Sequence, residues 1–546
     1  MRTNNNNVIK NKIYFLSLFI CFILFGLLHA HYDEYNDNIA HPRLRLMLKQ
    51  NDRIRNTRAM PMISFEPPPA EESGDYWNEV GQNTLAEQLK KNQLNLNKAK
   101  NIILFLGDGL SLPTITAGRI YMGGEESQFY FEKFPYVGLS KTYCANTQVA
   151  DSACTATAYL SGVKGNYATV GVSAAVDVND CKAQNNTAYH APSIAQWAQE
   201  KGMATGLVTT TSVTHASPSG IYAHIANRFW ESDDDIYIDG GDPLLCRDIA
   251  HQLIYDTVGH NLRVVMGGGR EQFLPKTQKD ITGNSGKRRD NINLIDEWKQ
   301  RHSKFNAKYV ETKDELFKLS NDTEFVMGLF DTGNMPFHLD ADNETIPTLA
   351  EMVDKALNVL EHSNNKEKGY FLFVEGGRID HAHHNTEAII AIDETIEFDK
   401  AIKLARERTN VDDTLIVVTS DHSHTMSISG YSSRKNDIFG INNGQMADDE
   451  LPYATLSYAN GPGFEKNILE KLGKRRNLRE INMHDKNYKF PTMVPLDSET
   501  HGGDDVPVYA SGPFAHIFTG SYEQNYIPHG MAYASCIGHK KTLCSS

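Results

Sequence analysis

Acidic, histidine and serine residues follow four short apolar runs of this chain, and together they could bind metal ions. The stretches that combine a run with such residues are 101–109, 206–218, 370–384 and 414–422. Each run is unbroken and rich in β-branched or aromatic residues, which is typical of a strand covered on both faces. Because open parallel sheets place their sites just beyond the carboxyl ends of such strands, we expect these side chains to converge on one crevice. Such a crevice indicates a metal-dependent hydrolase.

The densest group of candidate ligands lies at residues 375–384, where carboxylates and histidines alternate with small residues. Without cations to neutralise them, these groups would be costly to bury. Asp380 and His384 are four residues apart, so a helix that starts here would project both side chains to one side. A solvated histidine-rich loop is the alternative, and the apolar strand that precedes the group argues against it.

Other candidate ligands come from three further places in the chain. Asp108 stands between two glycines, which let the backbone approach a ligand closely, although a plain turn would use the same residues. The sequence Asp-His-Ser-His at 421–424 ends the fourth strand, and His501 lies beside two glycines. Zinc prefers imidazole mixed with carboxylate, and magnesium prefers oxygen ligands. The whole inventory suits two zinc ions and one magnesium ion.

Ser152 is the candidate nucleophile. It heads a run of small residues at 151–158, which would leave its hydroxyl accessible at a helix start, where backbone N–H groups favour an anion. A zinc ion could activate this hydroxyl without a histidine base. The alternative is that Ser152 only caps the helix, and this segment by itself favours that alternative.

Three further polar residues, His215, Ser217 and Arg228, follow the second strand. Taken singly, each would ordinarily be a surface residue or a structural hydrogen-bonding residue. Arg228 is a candidate for substrate binding because the planar fork of an arginine matches two oxygens of a phosphate.

The composition indicates a globular protein with a large core. The chain has 546 residues, of which 40% are hydrophobic, a formal charge of −14 and a pI near 5.8. No domain-wide basic surface is available to displace counterions, which argues against nucleic-acid binding. An anionic substrate stays compatible with this charge, because a buried metal cluster can outweigh the global field locally.

The N-terminus has the pattern of a signal peptide over residues 1–30. Arg2, Lys10 and Lys12 precede an apolar run at 13–28, and Ala30 offers a small residue for cleavage. A signal anchor is the alternative, but a run of about sixteen residues is short for a span of ~20. No second run of that length follows, and the chain ends without the hydrophobic tail of a lipid-anchor signal. We therefore expect a soluble secreted product rather than a lipid-anchored or transmembrane one.

The remaining chain divides into a polar, basic and proline-containing segment at 31–70, expected to be poorly ordered, and one domain at 71–546. The domain starts with a predicted helix at 73–98. Strand and helix patterns then alternate to about residue 430, which predicts a doubly wound α/β fold with a mostly parallel sheet flanked by helices. Residues 430–496, rich in Gly, Asn, Lys and Arg, break this alternation and are predicted to be an insertion on the core domain.

The cysteines and sequons fit an extracellular protein. Six cysteines remain once Cys21 leaves with the signal peptide: Cys144, Cys154, Cys181, Cys246, Cys536 and Cys544. An even number in an oxidising compartment predicts disulfides, although six cysteines allow fifteen pairings. Sequons for N-glycosylation occur at Asn185, Asn321 and Asn343.

From about residue 70 to the C-terminus, the chain resembles the animal (insect-like) alkaline phosphatases. The motifs that carry the resemblance are Phe-Leu-Gly-Asp-Gly, Asp-Ser-Ala-x-Thr-Ala-Thr-Ala, Thr-His-Ala-Ser-Pro, Val-Glu-Gly-Gly-Arg-Ile-Asp-His, Asp-His-Ser-His and Glu-Thr-His-Gly-Gly, in this order. The resemblance implies broad hydrolysis of phosphate monoesters through a phosphoserine intermediate at Ser152. It also implies a homodimer, in which the N-terminal helix reaches across to the partner and 430–496 forms the crown.

The resemblance further assigns roles to the candidate site residues. The first zinc would be bound by Asp380, His384 and His501. The second would be bound by Asp108, Asp421 and His422, with Ser152 facing it, and the magnesium ion by Asp108, Ser217 and Glu375. Arg228 would hold the phosphoryl oxygens, and ligands or water would be oriented by His215, His381 and His424. Bridges would join Cys181 to Cys246 and Cys536 to Cys544.

The chain departs from the mammalian members of this family at two places. Cys154 replaces a glycine two residues after the nucleophile and lies ten residues after Cys144, so the two either form an extra bridge or both stay free; we favour the bridge. The pair Phe330-Asp331 fits a mammalian calcium site, but Ile346 stands where that site needs an aspartate, which argues against calcium.

Two other functions remain open. A phosphodiesterase or sulfatase could use the same metal scaffold, although Arg228 and a magnesium-type ligand set favour monoesters. An extracellular binding or adhesion protein could use the metals structurally only. The presence of both Ser152 and Arg228 argues against that function, because folding requires neither.

Overall fold

The computed structural model describes residues 68–362, 367–469 and 474–538. The predicted signal peptide and nearly all of the segment 31–70 lie outside the described residues. The strands are β1 (Asn101–Gly107), β2 (Tyr136–Lys141), β3 (Ala204–Ser212), β4 (Val264–Gly268), β5 (Ala307–Val310), β6 (Phe325–Leu329), β7 (Tyr370–Gly376), β8 (Thr414–Ser420), β9 (Ser423–His424), β10 (Met426–Ile428), β11 (Leu456–Gly461), β12 (Ile468–Leu469), β13 (Lys474–Arg475), β14 (Thr492–Pro495), β15 (His501–Gly502), β16 (Val506–Ser511) and β17 (Gly520–Glu523).

Helices connect most of these strands. They are α1 (Gly74–Lys91), α2 (Leu112–Gly123), α3 (Ser152–Ser161), α4 (Cys181–Gln184), α5 (Ile194–Glu200), α6 (Ala216–Ser219), α7 (Asp233–Ile238), α8 (Ile249–Tyr255), α9 (Thr257–His260), α10 (Leu294–Arg301), α11 (Lys313–Phe317), α12 (Leu349–His362), α13 (Arg378–His384), α14 (Ala388–Arg408), α15 (Gly463–Asn467) and α16 (Tyr526–Ser535).

The central sheet has ten strands in the order β17-β2-β16-β8-β1-β7-β3-β4-β6-β5. Every pairing in it is parallel except the two that β16 makes with β8 and β2. Parallel neighbours need long crossover connections, and helices supply them here. The predicted α/β fold with a mostly parallel sheet is confirmed.

Strand β1 shows why the sheet is covered on both faces. Ile102, Leu104 and Leu106 belong to the buried cluster on one face of the sheet. Ile103 and Phe105, which alternate with them, belong to the cluster on the other face. All five side chains are fully buried, and burying each contributes roughly 1.5–3 kcal/mol. The unbroken apolar run in the sequence therefore reflects burial on both sides.

Residues within the range predicted as an insertion, 430–496, pack on α14 together with strand β10, which lies just before that range. Strands β10, β11 and β14 form a separate three-stranded sheet. A third buried cluster combines Leu456 and Phe490 of the insertion with Ala388 and Ile392 of the helix. Apolar contact with α14, a helix that also covers the central sheet, thus links these residues to the core domain.

The N-terminal helix is shorter than the predicted range 73–98. It ends at Lys91, and the chain then runs without helix to β1. The side-chain amides of Asn95 and Asn97 donate to the backbone carbonyls of Val411 (3.0 Å) and Asp412 (3.2 Å). Asparagine side chains compete with helical hydrogen bonding in this way. The apolar periodicity of this segment could not reveal these distant partners.

A buried ion-pair network lies away from the strand ends and offers a stability prediction. Arg288 is fully buried and donates from Nη1 and Nη2 to the two carboxylate oxygens of Asp248, at 3.0 and 3.1 Å. Arg288→Ala would leave the buried Asp248 carboxylate without this partner. We expect the free energy of unfolding to fall by about 3–5 kcal/mol, measured by urea denaturation.

The matched control is Arg247→Ala. Arg247 also pairs with an aspartate, Asp256, but its side chain is 63% exposed. Removing such a pair should lower the free energy of unfolding by less than about 1 kcal/mol. If the free energy of unfolding fell equally in the two variants, the buried ion pair of Arg288 would contribute no more to stability than the exposed pair of Arg247.

Candidate metal centre

The four strands with predicted ligands are neighbours in the central sheet, in the order β8-β1-β7-β3, and all run parallel. Gly107 at the end of β1 is level with Gly376 of β7 and with Ser420 of β8. Their carboxyl ends therefore open on one edge of the sheet. The convergence predicted from the four apolar runs is present.

Asp380 is the centre of a first group of ligands. Its Oδ2 lies 3.3 Å from Nε2 of His384, one helical turn later on α13, as the four-residue spacing predicts. Its Oδ1 lies 3.3 Å from Nε2 of His501, which β15 brings from far along the chain. One carboxylate and two imidazoles thus face one another, which is a ligand set that zinc takes.

The Nε2 atoms of the two histidines in this group, His384 and His501, face each other. Nδ1 of His384 lies 2.5 Å from the carbonyl of Glu499, and Nδ1 of His501 lies 2.7 Å from the carbonyl of Ala150. Because a carbonyl only accepts, each Nδ1 carries a proton and each Nε2 of the neutral ring is an acceptor. The two Nε2 atoms are 3.1 Å apart. A proton on one ring or a metal cation between the rings would relieve this contact, and with Asp380 beside them the two imidazoles fit a zinc ion.

A second group consists of Asp108, Asp421 and His422, all fully buried. Nε2 of His422 lies 3.0 Å from Asp421 Oδ2 and 3.6 Å from Asp108 Oδ1. Burial opposes ionisation of Asp421, but His422 and a 2.8 Å hydrogen bond from the Gly109 backbone N–H hold the pKa of this carboxyl below its usual value. A buried set of two carboxylates and one imidazole also fits zinc.

A third group presents oxygen atoms that lack partners. Asp108 Oδ2, Ser217 Oγ and Glu375 Oε1 are buried and have no hydrogen-bond partner among the described residues. Buried polar atoms are normally paired, so three such atoms at one place indicate a bound ion. An all-oxygen set fits magnesium. A ring nitrogen of His215 also lies within 4.8 Å of carboxylate oxygens of Asp108 and Glu375, so His215 is a neighbour of this third group.

Four carboxylates converge in the crevice, and the pKa values of two of them, Asp108 and Glu375, are raised. Burial and the charges of Asp421, Asp380 and Glu375 raise the pKa of Asp108 well above its usual range. Burial also raises the pKa of Glu375 to about 7. Bound divalent cations would reverse both shifts, because they favour the ionised carboxylates. The electrostatics of the site therefore favour occupation by cations.

Ser152 is the first residue of α3, and its side chain contacts the second group. Its Oγ is 3.2 Å from Nε2 of His422 and 3.5 Å from Oδ1 of Asp108. The helix cap is Asp151, whose carboxylate accepts from the backbone N–H groups of Ala153 and Cys154. The alternative that Ser152 serves only as the cap is therefore wrong, and its hydroxyl is available to the crevice.

Arg228 is held in place by two groups of the site. Its Nη1 donates to Oδ2 of Asp151 at 3.2 Å, and its Nη2 lies 3.1 Å from Nε2 of His215. Burial opposes the charge of Arg228, but Asp151 and Asp108 raise the pKa of the guanidinium. A charged, pre-oriented guanidinium beside the first turn of α3 is suited to binding an oxyanion.

The remaining predicted histidines contact members of the site. His424 joins Asp380 Oδ1 (2.7 Å) to Glu499 Oε2 (2.6 Å), so it can orient both carboxylates. His381 receives a 2.6 Å contact from Arg378, and its ring centre lies 5.4 Å from that of His215. A side chain at Gly109 would place Cβ only 2.4 Å from the ring of His424, so glycine is required there.

Sequence reasoning assigned no role to Glu499, Asp151 or His383. Glu499 holds His424 and Thr425 through its carboxylate and His384 through its carbonyl. His383 connects α13 to the insertion, since its Nδ1 lies 2.8 Å from the hydroxyl of Tyr458. Glu499 and Asp151 belong to two of the motifs that carry the family resemblance, and each lies within two residues of a candidate site residue. This proximity in the sequence is the signal that could have identified them.

The cysteines agree with the predictions where they are described. Bridges join Cys144 to Cys154 and Cys181 to Cys246. The predicted partner of Cys536, Cys544, lies outside the described residues. The sequon residues Asn185, Asn321 and Asn343 are all exposed, and Ile346 packs as a half-buried apolar residue against the core. No helix in the described ranges has the length and apolar character needed to cross a bilayer.

Comparison with known proteins identifies the family. A family profile described as Alkaline phosphatase matches residues 99–537. The "Membrane-bound alkaline phosphatase" of Bombyx mori is 45% identical over 490 residues, which cover 87% of this chain and 88% of that protein. The "Alkaline phosphatase, tissue-nonspecific isozyme" of Gallus gallus is 46% identical over 495 residues, which cover 88% of this chain and 92% of that protein.

Solved structures share the fold at lower sequence identity. The alkaline phosphatase of Thermus thermophilus superposes with a TM-score of 0.58 at 21% identity, over 83% of this chain and 94% of that one. The enzyme of the Antarctic bacterium TAB5 gives a TM-score of 0.56 at 22% identity, over 81% of this chain and 100% of that one. By the match of the profile and the identity to its relatives, this chain belongs to the alkaline phosphatase family, whose members hydrolyse phosphate monoesters.

Proposed function

We propose that this chain hydrolyses phosphate monoesters of broad specificity through a phosphoserine at Ser152, in a site for two zinc ions and one magnesium ion. The observation that carries the proposal is the meeting of three ligand groups around one hydroxyl. In the third group, three buried oxygens lack partners among the described residues. Folding alone gives no reason to gather unpaired polar atoms there.

The ligands divide into three sets. The first zinc is assigned to Asp380, His384 and His501, the second to Asp108, Asp421 and His422, and magnesium to Asp108, Ser217 and Glu375. When bound, these ions lower the pKa of a nearby hydroxyl and stabilise the negative charge on the entering and leaving oxygens. His215, His381 and His424 hold ligands or water in orientation.

The protein residues carry out a double displacement. Ser152 Oγ, having given its proton to solvent water, attacks phosphorus, and the bond from phosphorus to the leaving oxygen breaks on the opposite side. The leaving alcohol takes up a proton from water. Water then attacks the phosphoserine, the phosphorus–Oγ bond breaks, and inorganic phosphate leaves while Ser152 regains its proton. Because the two displacement steps depend little on the chemical identity of the leaving group, many different phosphate monoesters should react.

Arg228 is assigned to the non-bridging oxygens of the phosphoryl group. Asp151 and His215 hold its two terminal nitrogens. A monoester dianion shares two negative charges among three non-bridging oxygens, whereas a diester shares one negative charge between two, so the guanidinium attracts the monoester more strongly. Arg228 therefore favours monoesters over the phosphodiesters that a related metal scaffold could cleave.

Arg228→Ala tests this assignment. We expect kcat/KM for p-nitrophenyl phosphate to fall about 10²–10³-fold, because a donor that stabilises transition-state charge is lost. Turnover of bis(p-nitrophenyl) phosphate should fall much less. Arg228→Lys, which keeps the charge but not the fork, is the matched control and should recover part of the activity. A wild-type protein that prefers the diester would support the phosphodiesterase alternative instead.

We also propose an oligomeric state and a cellular location for the protein on the basis of its family. We assign a homodimer in which α1 contacts the partner, since Trp77, Leu85 and Leu89 of this helix are each at least half exposed. We also assign secretion with a removed signal peptide, N-glycosylation at the three exposed sequons and a Cys536–Cys544 bridge. The two observed disulfides support passage through an oxidising compartment.

A further inference from the structure

The bridge between Cys144 and Cys154 encloses the nucleophile. The two cysteines are ten residues apart and almost completely buried. The covalent ring that they close contains Ala150, Asp151 and Ser152. Cys154 lies in the first turn of α3, two residues after Ser152. One crosslink therefore constrains the start of the nucleophile helix and the loop that leads into it.

The exposed middle of that loop has few attachments. Residues 142–151 form no helix or strand, and most side chains from 145 to 149 are exposed. This middle stretch is attached by a 2.9 Å hydrogen bond from Ala145 N to the carbonyl of Gly165 and a 2.8 Å bond from Tyr167 N to Asn146 Oδ1. The two ends of the loop have further hydrogen bonds, because Lys164 Nζ donates to the carbonyl of Tyr143 at 2.8 Å and Asp151 accepts from Ala168 N at 3.0 Å and from Arg228. The bridge adds a covalent link across the exposed middle, and exposed stretches with few attachments open easily.

The same loop supplies a hydrogen bond on which the first ligand group depends. The carbonyl of Ala150 accepts from Nδ1 of His501 at 2.7 Å. This bond places the proton of the ring on Nδ1 and turns the Nε2 lone pair toward Asp380 and His384. Partners of this kind, which orient a metal-binding histidine, typically change metal affinity 10–100-fold when lost.

We propose that the Cys144–Cys154 bridge is a positioning element of the catalytic site, which holds the Ala150 carbonyl against His501. The inference rests on the proposed function, because it takes His501 as a zinc ligand. Loss of the bridge should weaken the zinc site of Asp380, His384 and His501. The set of Asp108, Asp421 and His422 should keep its zinc affinity, because none of these three side chains donates a hydrogen bond to the Ala150 carbonyl in the described structure.

The test is zinc affinity of the double variant Cys144→Ala/Cys154→Ala. Purified protein is equilibrated with graded chelator, and retained zinc is counted by mass spectrometry, without any turnover. We expect the Kd of one zinc to rise about 10–100-fold and that of the other to stay unchanged. At saturating zinc, kcat for p-nitrophenyl phosphate should return toward the wild-type value.

The matched control is Cys181→Ala/Cys246→Ala, which removes the bridge between cysteines separated by 65 positions in the sequence. It should leave both zinc affinities unchanged. Should the first variant not fold, Cys144→Val/Cys154→Ala restores volume without the crosslink and decides the matter. Zinc affinities within twofold of wild type would overturn the positioning role while leaving the proposed function intact. Failure of the proposed function itself would appear separately, as turnover that survives loss of Ser152.

Discussion

Ser152→Ala should lower kcat for phosphate monoesters by about 10⁴-fold or more, with zinc and magnesium contents unchanged. The variant lacks the oxygen that would attack phosphorus, and no other hydroxyl is assigned that role. Metal content should survive, because each assigned ion keeps three other protein ligands. Alanine also fits the buried, small-residue start of α3. Steady-state kinetics and elemental analysis of one preparation measure both quantities.

Ser161→Ala is the matched control for this variant. Ser161 is a buried serine at the opposite end of the same helix. Its removal should leave kcat within a few-fold of wild type. A Ser152→Ala protein with near-normal turnover would remove Ser152 from its assigned role. Wild-type protein that bound the metals but hydrolysed no phosphate ester would support a structural metal centre, as in a binding or adhesion protein.

Removing the metal ions with a chelator should abolish turnover and also lower the melting temperature. Asp108, Glu375, Asp380 and Asp421 are all buried in one crevice. Without cations, either like charges face one another or some carboxylates must take up protons, as the raised pKa values of Asp108 and Glu375 indicate. An ion present at 1,000 times its Kd stabilises the fold by about 4 kcal/mol. The loss of three ions should therefore produce a clear decrease of the melting temperature in calorimetry.

Adding single metal ions back to the chelator-treated protein distinguishes the assigned zinc sites from the assigned magnesium site. Zinc with magnesium should restore both turnover and melting temperature, whereas magnesium alone should restore neither fully, because imidazole ligands favour zinc. Calcium should not substitute for magnesium in restoring turnover. Full activity in chelator-treated protein of verified zero metal content would contradict the assigned mechanism.

Sequence reasoning predicted the strands of the site because their burial on both faces leaves a clear pattern. The run at 101–107 is apolar at nearly every position, since alternate side chains enter different cores. Parallel strands end on one edge, so the ligands after β1, β7 and β8 had to converge. The spacing of Asp380 and His384 was equally informative, because helix geometry alone places them together.

Contacts between distant segments could not be predicted in the same way. The segment that follows α1 is attached by hydrogen bonds from Asn95 and Asn97 to residues more than 300 positions away. The roles of Asp151 as helix cap and of Ala150 as partner of His501 depend on backbone geometry that no residue pattern records. Local patterns thus predicted which side chains converge, while the groups that orient them could be identified only from the fold.

The location of zinc in crystals of the metal-loaded protein tests the central claim most directly. Anomalous difference maps recorded above and below the zinc absorption edge would show each zinc as a peak. We expect two peaks, about 3.5–4 Å apart, one beside Asp380, His384 and His501 and one beside Asp421 and His422, with Ser152 Oγ facing the second. No zinc peak in this crevice, or a single one remote from Ser152, would contradict it.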